Sequence, residues 1–339
     1  MNMMYPFLIA LALLSASFGL FADVSESILP AMNDIYNRDF GKKVNYKQKE
    51  LMQHAIQRQD QKIRIMTYNM LYNVKRAEDK LPEKHRWNCR KPRLLEYLLY
   101  TNADIIGSQE LQDDQLQEVI NVLGVKYAYY GEKTRQNEER NDRNAIFFNK
   151  DRFELIDAKT IAYKDDHFQN AFTYCYLKDK RSQKKFAVLN TKLTWGNDAR
   201  TDRRLAEAIQ LNQFSQQLSE KEPIIILGDC NTAPFVFPDI HPSMPLDGDY
   251  VEQALAGENL KDAKIKSIFG HFGPICSTTI AKETFAPFTG PQIFGLVEDH
   301  IFVNDRVEVF THGIDTAKVN GEFPSDHFPV IADINFKED

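Results

Sequence analysis

The sequence predicts one α/β domain over residues 62 to 337, on three observations. Short β-type runs recur from Lys62 onward, helical stretches stand between them, and no linker long enough to separate a pair of cores interrupts the series. The runs are "KIRIMTYNML", "ADIIGSQE", "RNAIFFN", "KFAVLNTKL", "PIIILGDCN", "EDHIFVND" and "FPVIADINF". No fixed-period repeat or low-complexity tract points instead to a solenoid.

The elements follow in chain order. The N-terminus reads "MNMMYPFLIALALLSASFGLFADVSES", and Phe7 to Ala22 carries no charge. That stretch has the length of a signal-peptide core and falls short of the about 20 apolar residues of a membrane span. Residues 1–22 therefore read as a signal peptide. The alternative is an uncleaved N-terminal anchor, since no Lys or Arg precedes the core and Leu20 is large for a cleavage site after Ala22. The expectation is an exported protein, periplasmic or secreted, or else membrane-anchored through its N-terminus. Residues 23–61 are polar, rich in Gln and Lys, with apolar Leu51, Ala55 and Ile56, and read as an N-terminal helical extension. Within the domain, helices are expected at Lys91 to Tyr100 and around Arg200 to Leu218. The second places Leu205, Ala208, Ile209 and Phe214 on one face. No later segment is apolar enough to span a membrane.

Composition narrows the class. Charged residues are 27% and hydrophobic ones 43%, as in ordinary soluble domains, and the net charge is -6. A protein that tracks a polyphosphate backbone usually carries a basic stripe, so this acidity speaks against tight nucleic-acid binding, though a local basic patch is compatible with it. Cys89, Cys175, Cys230 and Cys276 are scattered without zinc-like spacing. Export would permit disulfides, but Cys175 and Cys230 sit in apolar runs and read equally well as buried thiols.

The strand ends carry the chemistry. The first run ends at Asn69 and the second at Glu110. The fourth leads into Lys192, and the fifth ends at Asp229 and Asn231. The sixth begins at Asp299, and Asp326 and His327 precede the last. Taken singly, each has an ordinary reading: Asn69, Asp229 and Asn231 as turn residues, Asp299 as a strand-start hydrogen bonder, His327 as a satisfied surface histidine. Together, oxygen-bearing and imidazole tips at successive strand ends describe a site where a sheet opens to solvent. Glu110, directly after a buried run, calls for a cation. Oxygen ligands in this number suit a hard divalent ion, Mg²⁺ or Mn²⁺, with Ca²⁺ less suited.

In order, "TYNML", "DIIGSQE", "LNTKL", "GDCN", "EDHIFV" and "PSDHFPV" resemble the motif series of the endonuclease/exonuclease/phosphatase family, deoxyribonuclease-like metal-dependent phosphoesterases. The resemblance covers about residues 62–337. It implies a four-layer α/β sandwich, two packed mixed β-sheets flanked by helices. It also implies phosphoester hydrolysis by in-line attack of water, with a divalent metal held chiefly by Glu110 with Asn69, and Asp326 on a metal or water. By the same resemblance Asp229 orients and deprotonates the water, Asn231 holds a phosphate oxygen, and Asp299 and His327 form a carboxylate–imidazole pair.

One motif departs, because the family's usual "NTH" is "NTK" here, with Lys192 in the histidine position and Trp195 where many bacterial members carry a second histidine. An ordinary lysine, protonated at neutral pH, cannot accept a proton but can place a charge and donors beside a phosphate. Retained but altered catalysis is expected, with Lys192 and Asn231 binding substrate. The expected substrate is a phosphodiester, in nucleic acid or a phospholipid headgroup. No stable protein partner is implied, and a monomer is expected. The alternative is a catalytically silent member that binds a partner. Arg135, Arg140 and Arg143, and Arg200, Arg203 and Arg204, read as solvated charges or substrate contacts. Phe285 and Phe288, in a Gly- and Pro-rich loop, read as core plugs or base-stacking platforms.

Overall fold

The computed structural model describes residues 62–133, 141–164, 170–196, 201–232, 248–274, 276–278 and 297–338. The expectations for 1–22 and 23–61, and for Arg135, Arg140, Arg200, Phe285 and Phe288, lie outside these residues.

All seven predicted runs are strands, and they sort into two sheets. The first sheet, of seven strands, contains β1 (Ile63–Asn69), β2 (Ile105–Gln109), β3 (Tyr127–Tyr130) and β4 (Ile146–Asn149). The six-stranded sheet contains β5 (Phe153–Ala162), β6 (Ala171–Asp179), β7 (Lys185–Lys192), β8 (Ile224–Asp229), β9 (Leu260–Asp262) and β11 (Asp299–Asn304). Strands β10 (His271–Phe272), β12 (Val307–Ile314) and β13 (Val330–Phe336) complete the first sheet, in the order β10-β12-β13-β1-β2-β4-β3. The second runs β5-β6-β7-β8-β11-β9. Among the described residues, four helices of nine or more residues flank them: α1 (Trp87–Thr101), α2 (Asp113–Leu123), α3 (Thr201–Gln216) and α4 (Gly248–Ala256).

Three cores define four layers. Ile65, Ile105, Val188, Ile225, Leu227, Ile301 and Ala332 fill the space between the sheets. Met66, Ile106 and Phe147 turn the other way, onto Leu94 and Leu98 of α1 and Leu116 and Val119 of α2. Ile226, Leu189 and Phe302 meet Ala208, Leu211, Val251 and Leu255 of α3 and α4. Because consecutive residues face opposite covered sides, the central strands read as continuous apolar runs rather than alternating ones. This is the expected four-layer α/β sandwich.

The helices close in different ways. Asn102 ends α1 in the left-handed region, at φ 50°, and a Gln112–Gln115 capping box starts α2. The expected apolar face of α3 is corrected by the structure. Arg204, Glu207, Ala208, Leu211, Asn212 and Ser215 are the buried residues, while Ile209 is 40% exposed. The period is helical, but several polar side chains occupy the inner stripe because they bond one another and neighbouring backbone. Glu207 accepts from Asn170, Thr194 N and Thr194 Oγ1. Among the described residues, no helix is long and apolar enough to cross a membrane.

Topology explains why polar tips collect at one edge. Each sheet holds a parallel pair near its middle, β1 with β2 and β7 with β8, so those four strands end on the same side. Their neighbours β13 and β11 run antiparallel and begin there. Registers then set Asn69 beside Gln109, Lys192 beside Asp229, and Asp229 beside Asp299.

Candidate active site

The two sheets meet at this edge through side chains of the predicted residues. Asn69 Nδ2 donates to Asp229 Oδ2 at 2.8 Å, while its Oδ1 accepts from Leu71 N at 3.0 Å. Asn231 sits in the left-handed region at φ 49°, which Asn tolerates better than most side chains. Its N–H donates to Asp229 Oδ1 at 3.0 Å, and its Nδ2 donates to Leu193 O at 2.8 Å. One amide donor of Asn231 is thus spent on the backbone.

Glu110 follows β2 at φ 67°, and its Oε2 accepts from Tyr72 N at 3.1 Å. Lys192 reaches across from the other sheet to Glu110 Oε1 and to Asp229 Oδ2, the latter at 2.9 Å. On the other side of Asp229, His327 Nδ1 lies 2.8 Å from Asp299 Oδ2. Its Nε2 comes to 3.5 Å from Asn69 Nδ2 and 4.0 Å from Glu298 Oε2. Burial opposes a charge on this imidazole, but Asp299, Asp229 and Asp326 outweigh it and hold the ring's pKa well above its ordinary value. Asp326, bonded by Ser325 Oγ at 3.3 Å, has its carboxyl pushed up by burial and by the neighbouring Glu110 charge, against the pull of His327 and Arg90.

The structure therefore gathers Asn69, Glu110, Lys192, Asp229, Asn231, Asp299, Asp326 and His327 into one buried cluster where the two sheets meet. Other expected contacts are not there. Arg143 is held by Asp113 and by Gly131 O. Arg204 is buried against Thr194 O and Gly196 O, so it belongs to neither a solvated face nor a phosphate site. Trp195 stands at 69% exposure. Cys175 and Cys230 are buried thiols, Cys230 one residue past β8, and burial pushes both pKa values up.

Several contributors had no functional reading in the sequence. Glu298 is buried beside His327, and burial, followed by the Asp229 charge, pushes its carboxyl up to about 8. Ser277 Oγ accepts from Glu298 N and Asp299 N and so fixes the start of β11. Arg90 is fully buried and donates to Met70 O at 2.6 Å, to Leu71 O, and to Pro324 O at 3.4 Å, tying the loop after β1 to the loop before β13. Its signal was present, since Arg90 falls on the same helical stripe as Leu94, Tyr97 and Leu98. Between the sheets, Gln109 Nε2 donates to Asn190 Oδ1 at 2.7 Å, and Asn190 Nδ2 donates to Ser108 O and Ala145 O.

The donor set fits a divalent cation. Glu110, Asp229, Glu298, Asp299 and Asp326 bring five carboxyl groups to one cluster, and buried Asp299 Oδ1 has no hydrogen-bond partner among the described residues. Ligand atoms of Asp229, Asp299 and His327 also lie within 4.8 Å of one another.

Residues 66–327 match the Endonuclease/Exonuclease/phosphatase family, and the chain belongs to that family. Its members are generally divalent-metal-dependent hydrolases of phosphoester bonds. Protein angel of Drosophila melanogaster is 32% identical over 161 residues, 44% of each chain. The CCR4-Not complex 3'-5'-exoribonuclease subunit Ccr4 of Candida albicans is 24% identical over 306 residues, 75% of this chain and 38% of that protein. The match thus spans less than half the length of either relative. Among solved structures, the fold resembles a mannosyl-6-phosphatase of Bacteroides thetaiotaomicron, with TM-score 0.65 and 20% identity over 81% of this chain and 100% of the other. The human Nocturnin catalytic domain gives TM-score 0.65 and 22% identity over 85% and 99%.

Proposed function

We propose that this protein is a divalent-metal-dependent phosphoesterase that hydrolyses phosphodiesters by in-line attack of water, on nucleic acid or a lipid headgroup. The observation that carries the reading is the hydrogen-bonded chain Glu110–Lys192–Asp229–Asn69, which joins both sheets beside the Asp299–His327 pair. Glu110, with Asn69 and Asp326, would hold the ion, which when bound polarises a phosphoryl oxygen and offsets developing charge.

The chain's own groups supply the rest. Asp229 accepts from Asn69, Lys192 and Asn231, so it is held as an oriented anion able to align a water and take its proton. Asp299 keeps the His327 ring charged and oriented, and its Nε2–H can bind or protonate a phosphate oxygen. Lys192 adds a full positive charge at the mouth. The proposal includes export, which is supported by the uncharged apolar stretch from Phe7 to Ala22.

The test is hydrolysis of bis-para-nitrophenyl phosphate against para-nitrophenyl phosphate, with Mg²⁺ and with Mn²⁺, by wild type and Asp229→Ala. Faster diester hydrolysis that Asp229→Ala removes is expected. Equal background rates in both proteins would support the silent, partner-binding alternative. N-terminal sequencing of the exported protein, expected to begin after Ala22, checks the leader.

A further inference from the structure

We infer that Lys192 is a tethered cation that competes with the divalent ion for Glu110, so that metal entry requires its ammonium to leave. The inference rests on the phosphoesterase reading only in taking Glu110 as the ion's main ligand.

The geometry is specific. Lys192 ends β7, in register with Asp229 of the parallel neighbour β8, and its ammonium spans to Glu110 on the opposite sheet. Glu110 Oε2 already takes Tyr72 N, so the ammonium engages the remaining oxygen. Asp229 is engaged likewise, through Asn231 on Oδ1 and through Asn69 and Lys192 on Oδ2.

The bland alternative is a surface ion pair of little consequence. Burial argues against it, since the Lys192 side chain is 12% exposed and those of Glu110 and Asp229 are 8% and 0%. Removing three charged groups from water is costly unless each is compensated, and the lysine is a cation in hydrogen-bond contact with both carboxylates. A dication at Glu110 would meet that ammonium at contact distance, where like charges repel strongly. Lysine suits displacement, because its charge sits on a flexible four-carbon stem rather than a planar fork. Once displaced, the ammonium lies at the mouth, where a phosphate oxygen can take the place of the carboxylate it left.

The test uses the full chain and Mn²⁺ alone, with affinity read by electron paramagnetic resonance. Lys192→Met keeps the length of the side chain and removes its charge. It is expected to bind Mn²⁺ at least about tenfold tighter than wild type, and adding Glu110→Gln should abolish the gain. Equal or weaker binding in the folded variant, no binding in either protein, or a gain that survives Glu110→Gln would overturn the inference. A second measurement needs no variant. Acylation of the Lys192 amine, read by mass spectrometry, should rise several-fold as wild type is saturated with Mn²⁺, and unchanged or reduced labelling would overturn it. Tight Mn²⁺ binding by Lys192→Met with no phosphoester hydrolysis by wild type would remove the phosphoesterase reading and leave the tethered cation standing. Hydrolysis with unchanged Mn²⁺ affinity would do the reverse.

Discussion

Two buried histidine–carboxylate pairs lie back to back on β11. Asp299 bonds His327 at 2.8 Å within the polar cluster, and the next residue, His300, bonds Asp262 of β9 at 3.0 Å. Carboxylate neighbours hold both rings above the ordinary histidine pKa. They differ in the second nitrogen. His300 Nε2 is bonded to Val297 O at 3.1 Å, with Glu252 at 3.4 Å, so its ring is enclosed by its own fold. Among the described residues, His327 Nε2 has Asn69 Nδ2 at 3.5 Å and Glu298 at 4.0 Å near it, within the cluster where the sheets meet. One pairing chemistry thus leaves the far nitrogen bonded to backbone in one case and beside polar side chains of the cluster in the other.

The largest expected effect lies between the two pairs. Asp229→Ala should lower diester turnover by about 10⁴-fold in steady-state assays, the upper range for a general base. Next, His327→Gln should cost about 10² to 10³-fold, while His300→Gln assayed in parallel stays within about threefold. Similar losses in both would erase the distinction.

Stability should reverse the ranking. His300 is charged against burial by Glu252 and Asp262, which raise its pKa from 6.5 to about 9. A raised pKa means the folded state binds the proton more tightly, so this contribution is complete below pH 6.5 and is lost as pH rises through about 9. It amounts to on the order of 3 kcal/mol. His300→Gln should lower urea stability at pH 6 and flatten its decline from pH 6.5 to 9. The smallest effect is expected from Glu252→Gln, whose carboxylate is a quarter exposed. It should cost about 1 kcal/mol, and a larger loss would make Glu252 rather than Asp262 the main partner.

The contrast is half legible in the sequence. Asp299 and His327 can be found because each flanks an apolar run, and a strand edge is where polar side chains converge. His300 cannot, since "EDHIFV" shows a histidine at a strand start and nothing of Asp262, a partner 38 residues away. Glu298 is hidden by Asp299 beside it, because one acidic residue already accounts for the strand entry. The inner stripe of α3 escapes the pattern for a related reason. Arg204 and Glu207 have the composition of a solvated face, and their bonds to Thr194, Asn170 and Gly196 permit burial. The continuous apolar runs, by contrast, announce strands covered on both sides, and the layers follow from that.

The Gln109–Asn190 bond acts as a dowel between the two sheets. Sliding one sheet by a single residue, about 3.3 Å, would pull that peg from its socket and carry Asp229 out of reach of Asn69. A joint this deep keeps the polar cluster in register whatever the surrounding sequence does.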